Sequence, residues 1–434
     1  MDHLRTRQPP PEADGSRATI APPMSTAVFA DALYDPATAG ATHPAVVLID
    51  EGRVVAAGPR DQVHVPADAL HVDAEGLTVL PGLIDCHVHL CIAGDGVVLA
   101  EMLASPPSLT LLSAVVACRN TLDAGFTTVR DAGLTPVAVR MAVERGYFPG
   151  PRMLLAVAIL SQTGGHADQH FPCGVSVMWN PSPDLPESVV DGAEPMRHRV
   201  REVIRAGADW IKICTSGGVI SPGDSPHHAT FTPGEIEAAV QEAATQGRRV
   251  MAHAQAAAGI KNALRGGVTT IEHGIWIDDE ACRLFQDGDR ALVPTLVAPR
   301  WVIRHAEAGR MPAFAAEKGR AVAEDHRQSV RRAIDGGVTV AFGTDAGVGP
   351  HGTNGEEFLA LQELGMSPAD CIRSATTVAA RVLDLSGRAG TLEVGAFGDL
   401  IGVPGDPLED LELLARPENV RLVVKGGDVV KQTR

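Results

Sequence analysis

Four stretches share one design: AGFTTVRDAG (residues 124–133), AGADWIKICTSGG (206–218), GGVTTIEHG (266–274) and GGVTVAFGTD (336–345). Each opens on small residues with a glycine, runs into a short apolar or β-branched segment, and ends on polar or glycine residues. Each also follows a stretch of helical character, such as HRVREVIR (198–205) or EIEAAVQEAATQ (235–246). Glycine suits the left-handed position just past a helix. A short apolar run after it is what a parallel strand buried on both faces requires. Repeated helix–glycine–strand units predict a parallel sheet with helices outside. Eight such units need roughly 250 residues, and residues 80–390 supply enough. The expected fold is α/β, a (β/α)8 TIM barrel.

The flanks read differently. AVVLID (45–50), the turn Glu51-Gly52 and RVVAAG (53–58) carry a hairpin pattern. Near the other end, Asp399 to Val403 reads as a strand, and RLVVK (421–425), Gly426-Gly427 and DVV (428–430) as a second hairpin. Two β-rich ends around an α/β middle predict that the ends pair. Segments 24–79 and 391–434 are expected to form one small β-sandwich domain, with the barrel over 80–390 inserted between them. Residues 1–23 are rich in proline and charge, without the apolar stretch of a secretory signal. They are expected to be a disordered extension, with Met24 an alternative start.

The bulk properties narrow the partners. The chain of 434 residues carries a net charge of −16, which argues against nucleic acid and anionic membranes. No uncharged apolar run approaches the ~18 residues of a membrane span. Seven cysteines are scattered without a CxxC pair. That pattern suggests reduced thiols in a cytoplasm, not a disulfide framework or a zinc ribbon.

The candidate chemistry sits where the strands end. His87 and His89 follow the apolar run Leu80 to Ile84, and residues two apart on a strand face the same way. Two imidazoles there can grip one metal ion, although HxH alone is equally compatible with two ordinary histidines. Lys212 lies inside Trp210-Ile211-Lys212-Ile213-Cys214, where burying its charge is costly. It is either a solvent-facing lysine or an inward one that loses its proton and captures carbon dioxide as a carbamate. His253 and His273 end successive strands, and Asp345 ends VAFGTD (340–345). Asp345 alone could merely cap a following helix. Taken together, His87, His89, Lys212, His253, His273 and Asp345 converge on one mouth, because barrel strands deliver their C-terminal ends to the same face. Nitrogen and hard oxygen donors without thiolate suit Zn²⁺, and also Mn²⁺ or Fe²⁺.

The order PGLIDCHVHL (81–90), WIKI (210–213), AHA (252–254), TIEHG (270–274) and GTDAG (343–347) resembles the amidohydrolase superfamily. The likeness is greatest to its imidazolonepropionase-like branch, with prolidase-type and ochratoxin-type amidases. It runs from about Ala27 to the C-terminus and includes GTLEVGAFGDLIGV (390–403). The resemblance implies two divalent ions, Zn²⁺ first among them. His87, His89 and Asp345 would hold one, His253 and His273 the other, with carboxylated Lys212 as the bridge. It also implies a homo-oligomer.

Such a pair of ions lowers the pKa of a water toward neutrality. Asp345, ionised at neutral pH, would accept its proton as general base and return it to the leaving amine as general acid. His166, in SQTGGHAD (161–168), is the candidate donor to the developing oxyanion, or else a structural loop histidine. Gly218, Val219 and His228, in the loop TSGGVISPGDSPHH (215–228), are candidate substrate contacts. This chain has Phe231 where some prolidase-type relatives carry tyrosine, and Ala254-Gln255 where His-Ala-His is more usual. The expected activity is cleavage of a small-molecule amide, an N-acyl amino acid or a dipeptide. Opening of a cyclic amide is the alternative. Deamination of a heterocycle ranks lower, since deaminases of the superfamily lack the strand-four lysine. A non-catalytic scaffold ranks last, since all six positions are kept.

Overall fold

The computed structural model describes residues 25–97, 99–171, 173–176, 182 and 184–433. The expectation for residues 1–23 lies outside them. The chain's two ends meet in one sheet. From the N-terminal side come β1 (Thr26–Asp35), β2 (Gly40–Thr42), β3 (Ala45–Asp50), β4 (Arg53–Pro59) and β5 (Leu70–Pro81).

The middle of the chain builds the second body from parallel strands. These are β6 (Leu83–Val88), β7 (Phe126–Asp131), β8 (Arg152–Leu155), β9 (Ile159–Leu160), β10 (Trp210–Cys214), β11 (Arg249–Ala254), β12 (Thr270–His273) and β13 (Ala291–Val293). They pair in two runs, β6-β7-β8 and β9 to β13. β8 and β9 are one path through the sheet, broken at Val157, whose φ of 65° no regular strand admits. On the far side the extended segment 339–346 joins the two open edges. Leu292 N–H donates to Thr339 O and Ala341 N–H to Leu292 O, while Cys86 N–H donates to Phe342 O and His89 N–H to Ala346 O. Counting β8/β9 once, eight parallel strands thus close into a ring.

The four repeats behave as their glycines suggested. Gly125, Gly207, Gly267 and Gly337 have φ of 92°, 98°, 89° and 72°, each two residues past a helix end. The strands that follow are buried on both faces: every residue of β7, β10 and β12 is buried, as is every residue of β6. Helices such as Pro107–Asp123 and Pro233–Ala244 wrap the outside. No helix among the described residues is long and apolar enough to cross a membrane.

After the barrel, β14 (Leu400–Pro404), β15 (Leu422–Lys425) and β16 (Asp428–Gln432) return to the first sheet, in the order β16-β15-β14-β5-β1-β3-β4. Four strand spacings separate β15 from β3, about 19 Å in a flat sheet. Yet Thr26 Oγ1 donates to Gly427 O at 3.0 Å, and Ile49 packs on Gly427. The sheet therefore curls until its arms enclose one core, with Val28, Val47 and Ile49 on one side and Leu400, Leu422 and Val424 on the other. The sandwich is one continuous folded sheet.

Candidate metal centre

The six residues singled out at strand ends line one cavity: His87, His89, Lys212, His253, His273 and Asp345. Lys212 is 2% exposed on a strand with neighbours on both sides, so it points into the barrel and away from solvent. Asp345 caps no helix, because the chain runs on to Gly355 before the next one begins. Its Oδ1 lies 3.3 Å from His89 Nε2 and 3.5 Å from His87 Nε2. His87, His273 and Asp345 offer ligand atoms all within 4.8 Å of one another. His253 adjoins them, its ring centroid 4.6 Å from that of His273.

The backbone is bent to achieve this. His273, Thr295 and Asp345 have φ of 72°, 53° and 58°. Left-handed residues with a Cβ are uncommon and gather at functional sites. Each turns the chain out of its strand just where a side chain must face the mouth.

Hydrogen bonds decide which nitrogen of each imidazole is available. His87 Nδ1 donates to Glu272 Oε2 at 2.6 Å, and His89 Nδ1 to the Gly133 carbonyl at 3.0 Å. His87 keeps Nε2 as a lone pair; His89 Nε2 faces Asp345 Oδ1, and although burial lowers its pKa, Asp345 outweighs burial and raises it. His273 Nδ1 is engaged by Thr295 Oγ1 at 2.7 Å, which also leaves Nε2. His253 is reversed: Nε2 donates to Gly217 O at 3.1 Å and Nδ1 is left. A metal ligand is normally oriented in this way through its second nitrogen.

Electrostatics agree with a metal. Burial, helped by neighbouring positive groups, holds His87, His253 and His273 well below the usual imidazole range, so they are neutral and able to ligate. Burial also lowers Lys212, against the pull of Glu272, Cys214 and Asp345. Burial opposes ionisation of Asp345, but His87, His89 and Lys212 outweigh it and hold its carboxyl below the ordinary range.

Residues missed in the sequence lie directly beneath. Arg130 on β7 and Glu272 on β12 are both wholly buried. Arg130 Nε donates to Cys86 O at 2.7 Å, Nη1 to Thr270 Oγ1 at 3.0 Å, and Nη2 to both Glu272 oxygens at 2.9 and 3.1 Å. Its guanidinium lies over the Trp210 ring at 4.6 Å. Burying two ions costs several kcal/mol each, offset only when their remaining donors and acceptors are satisfied, as they are here. The pair clamps Glu272, and Glu272 orients His87. The signal was available: opposite charges within two strands expected to be buried had to find each other.

His166 also lines the cavity, with its ring stacked on His253 at 4.1 Å. Its Nδ1 is 2.9 Å from Ser221 Oγ, whose own hydroxyl is taken by Asp224. Nδ1 therefore carries the proton. Gly218 seats this ring, since a Cβ there would fall 2.2 Å from His166 Nδ1. Val219 borders an adjoining part of the cavity. His228 is exposed and does not border it; its carbonyl accepts from Gly217 N–H at 3.1 Å. Phe231 packs into the barrel core. Six of the seven cysteines are buried, Cys173 is exposed, and all are free thiols.

The profile of the amidohydrolase family matches residues 78–430. An ochratoxinase from Aspergillus niger is 34% identical over 372 residues, which is 81% of this chain and 75% of that protein. An imidazolonepropionase from Streptomyces coelicolor is 27% identical over 426 residues, 95% of this chain and 96% of its own. The crystal structure of a Xaa-Pro dipeptidase with methionine bound in its active site superposes with a TM-score of 0.84 at 33% identity. It covers 94% of this chain and 100% of the dipeptidase.

Proposed function

The chain belongs to the amidohydrolase family, and from that premise we propose that it hydrolyses the amide bond of an N-acyl amino acid or dipeptide with the help of two divalent metal ions. The carrying observation is that four histidines, a lysine and an aspartate from four strand ends and the segment closing the ring border one cavity, with each histidine anchored through one ring nitrogen. Imidazoles and an ionised carboxylate without thiolate are the donor set of zinc. His87 and His89 with Asp345 would hold one ion, and His253 with His273 the other. Lys212 borders the same cavity, and the lowering of its pKa by burial favours the neutral amine that carbamate formation needs.

Bound divalent ions supply Lewis acidity and make a water acidic near neutral pH. Asp345, kept ionised, would accept a proton from water and return it to the leaving nitrogen. His166 faces the same space. With Nδ1–H spent on Ser221, it can donate to an oxyanion only as imidazolium. Burial is the largest influence and lowers the His166 pKa, against the pull of Asp224 with an oxygen 3.8 Å away, so binding of the oxyanion itself would have to draw the proton on. The likeness to imidazolonepropionase over nearly all of both chains supports a second reading, the opening of a cyclic amide.

The test is a hydrolysis panel on zinc-loaded protein, containing N-acyl amino acids, Xaa-Pro dipeptides and lactams, with metal content measured on the same sample. Release of a free amino acid from the first two groups, at close to two ions per chain, is expected. Turnover of lactams alone would move the assignment to the second reading. Activity with a single ion would remove the binuclear part, and no turnover at all would overturn the proposal.

A further inference from the structure

Beside His253 and His273 the cavity continues into a side arm under the loops of its roof. Its walls come from Val219 in the loop after β10, Ile275 after β12, Ala298 and Val302 on the helix Val297–Glu307, and Val348 in the loop after the closing segment. Val219, Ile275 and Val302 pack with Val322 as a small cluster separate from the main core. Gly319 makes room for it, since a Cβ there would lie 2.6 Å from Val302 Cγ1. The arm is thus a built apolar pocket.

One side chain in it is out of place. Gln255, two residues past His253, borders the arm and is 5% exposed. Its backbone is fully used: its N–H donates to Ser216 Oγ at 2.8 Å, and its carbonyl accepts from Trp276 N–H at 3.0 Å. Its side-chain Oε1 is buried and accepts from nothing. Two other polar groups bordering the arm have partners: Thr295 Oγ1 accepts from His273 Nδ1, and His326 Nε2 donates to the His273 carbonyl. Leaving a buried amide oxygen unpaired costs about 1–3 kcal/mol, and an apolar residue of the same shape would avoid that cost. No arginine or lysine borders the arm among the described residues, while the carboxylate of Asp345 does, so a second carboxylate there would be stripped of water beside a like charge and without a permanent cation.

We propose that this arm is a specificity pocket for an uncharged, apolar group of the substrate that carries one hydrogen-bond donor, received by Gln255. The assignment deepens the amide-hydrolase reading and rests on it for the word substrate. A free carboxylate on the substrate is directed away from this arm, toward the outer part of the cavity.

Binding separates the two ideas, because it needs no turnover. Indole and indene have the same shape and differ by one N–H in place of a CH₂. Isothermal titration of the zinc-loaded full chain is expected to show indole binding about tenfold tighter than indene, the effect of one buried hydrogen bond. In Gln255→Met the ratio falls to near one. In Val302→Trp, which fills the arm, both bind at least tenfold more weakly. Equal affinities in the unmodified protein, or no binding of either compound, overturn the proposal whether or not a variant folds. So does a preference that survives Gln255→Met, or binding that Val302→Trp leaves unchanged. A failed hydrolysis panel alongside a positive titration would remove the reaction and leave the pocket standing.

Discussion

The floor and the roof of the cavity are built on opposite principles. In the floor each imidazole is fixed by an acceptor or hydroxyl from a different part of the barrel, and the buried ion pair beneath has its partners in place. In the roof, valines and isoleucines from two loops and two helices meet in a cluster detached from the main core, beside one unsatisfied amide. A hydrogen-bonded floor holds donors at set angles, which metal chemistry demands. An apolar roof sets shape and polarity, which can change without disturbing that chemistry. On the proposed reading, reaction class is written in the floor and substrate choice in the roof.

The sharpest way to break this division is at Lys212. Lys212→Ala should lower turnover by more than about 100-fold, the upper end for a group that merely supports a ligand. Part of the activity should return with an added short-chain carboxylic acid, read in steady-state assays. Full activity in the variant would mean that the floor needs no bridge.

Arg130→Ala tests whether the layer under the floor is as closed as its hydrogen bonds imply. Glu272 would keep a buried charge without its partner, a loss of about 3–5 kcal/mol in stability. Chemical denaturation should show it, together with reduced zinc content as His87 loses its orientation. An Arg130→Ala protein of unchanged stability would show that water reaches this layer.

The smallest effect is expected where the roof is anchored. Lys318 Nζ donates to the carbonyls of Gly218, Ser221 and Asp224 and to Asp224 Oδ1, at 2.7–3.0 Å. Lys318→Met frees that loop from its staple. KM should rise about tenfold, the equivalent of ~1.4 kcal/mol, while zinc content stays the same. Loss of zinc in this variant would show that roof and floor are one unit.

Much of this architecture was readable from local pattern. Glycine after a helix and a β-branched run after glycine marked the strands, and the residues ending those strands, His253, His273 and Asp345, do line one cavity. Strand-rich ends pointed to pairing between them, and β14 lies against β5. The break at Val157 was not readable, nor was the exposed place of His228, because neither follows from residue type. Arg130 and Glu272 lay in plain view but carried no reading, because their meaning depends on each other.

The sequence by itself determined which donor types arrive at strand ends, and in what order. Strand alternation and helix termination are properties of neighbouring residues, so a chain announces them locally. Only the tertiary structure decided which nitrogen of each histidine is anchored, that Arg130 meets Glu272 across 142 residues, and that an apolar arm with Gln255 opens beside the donors. Those outcomes depend on closure of the ring, which brings distant residues within hydrogen-bond reach at angles that no local preference encodes.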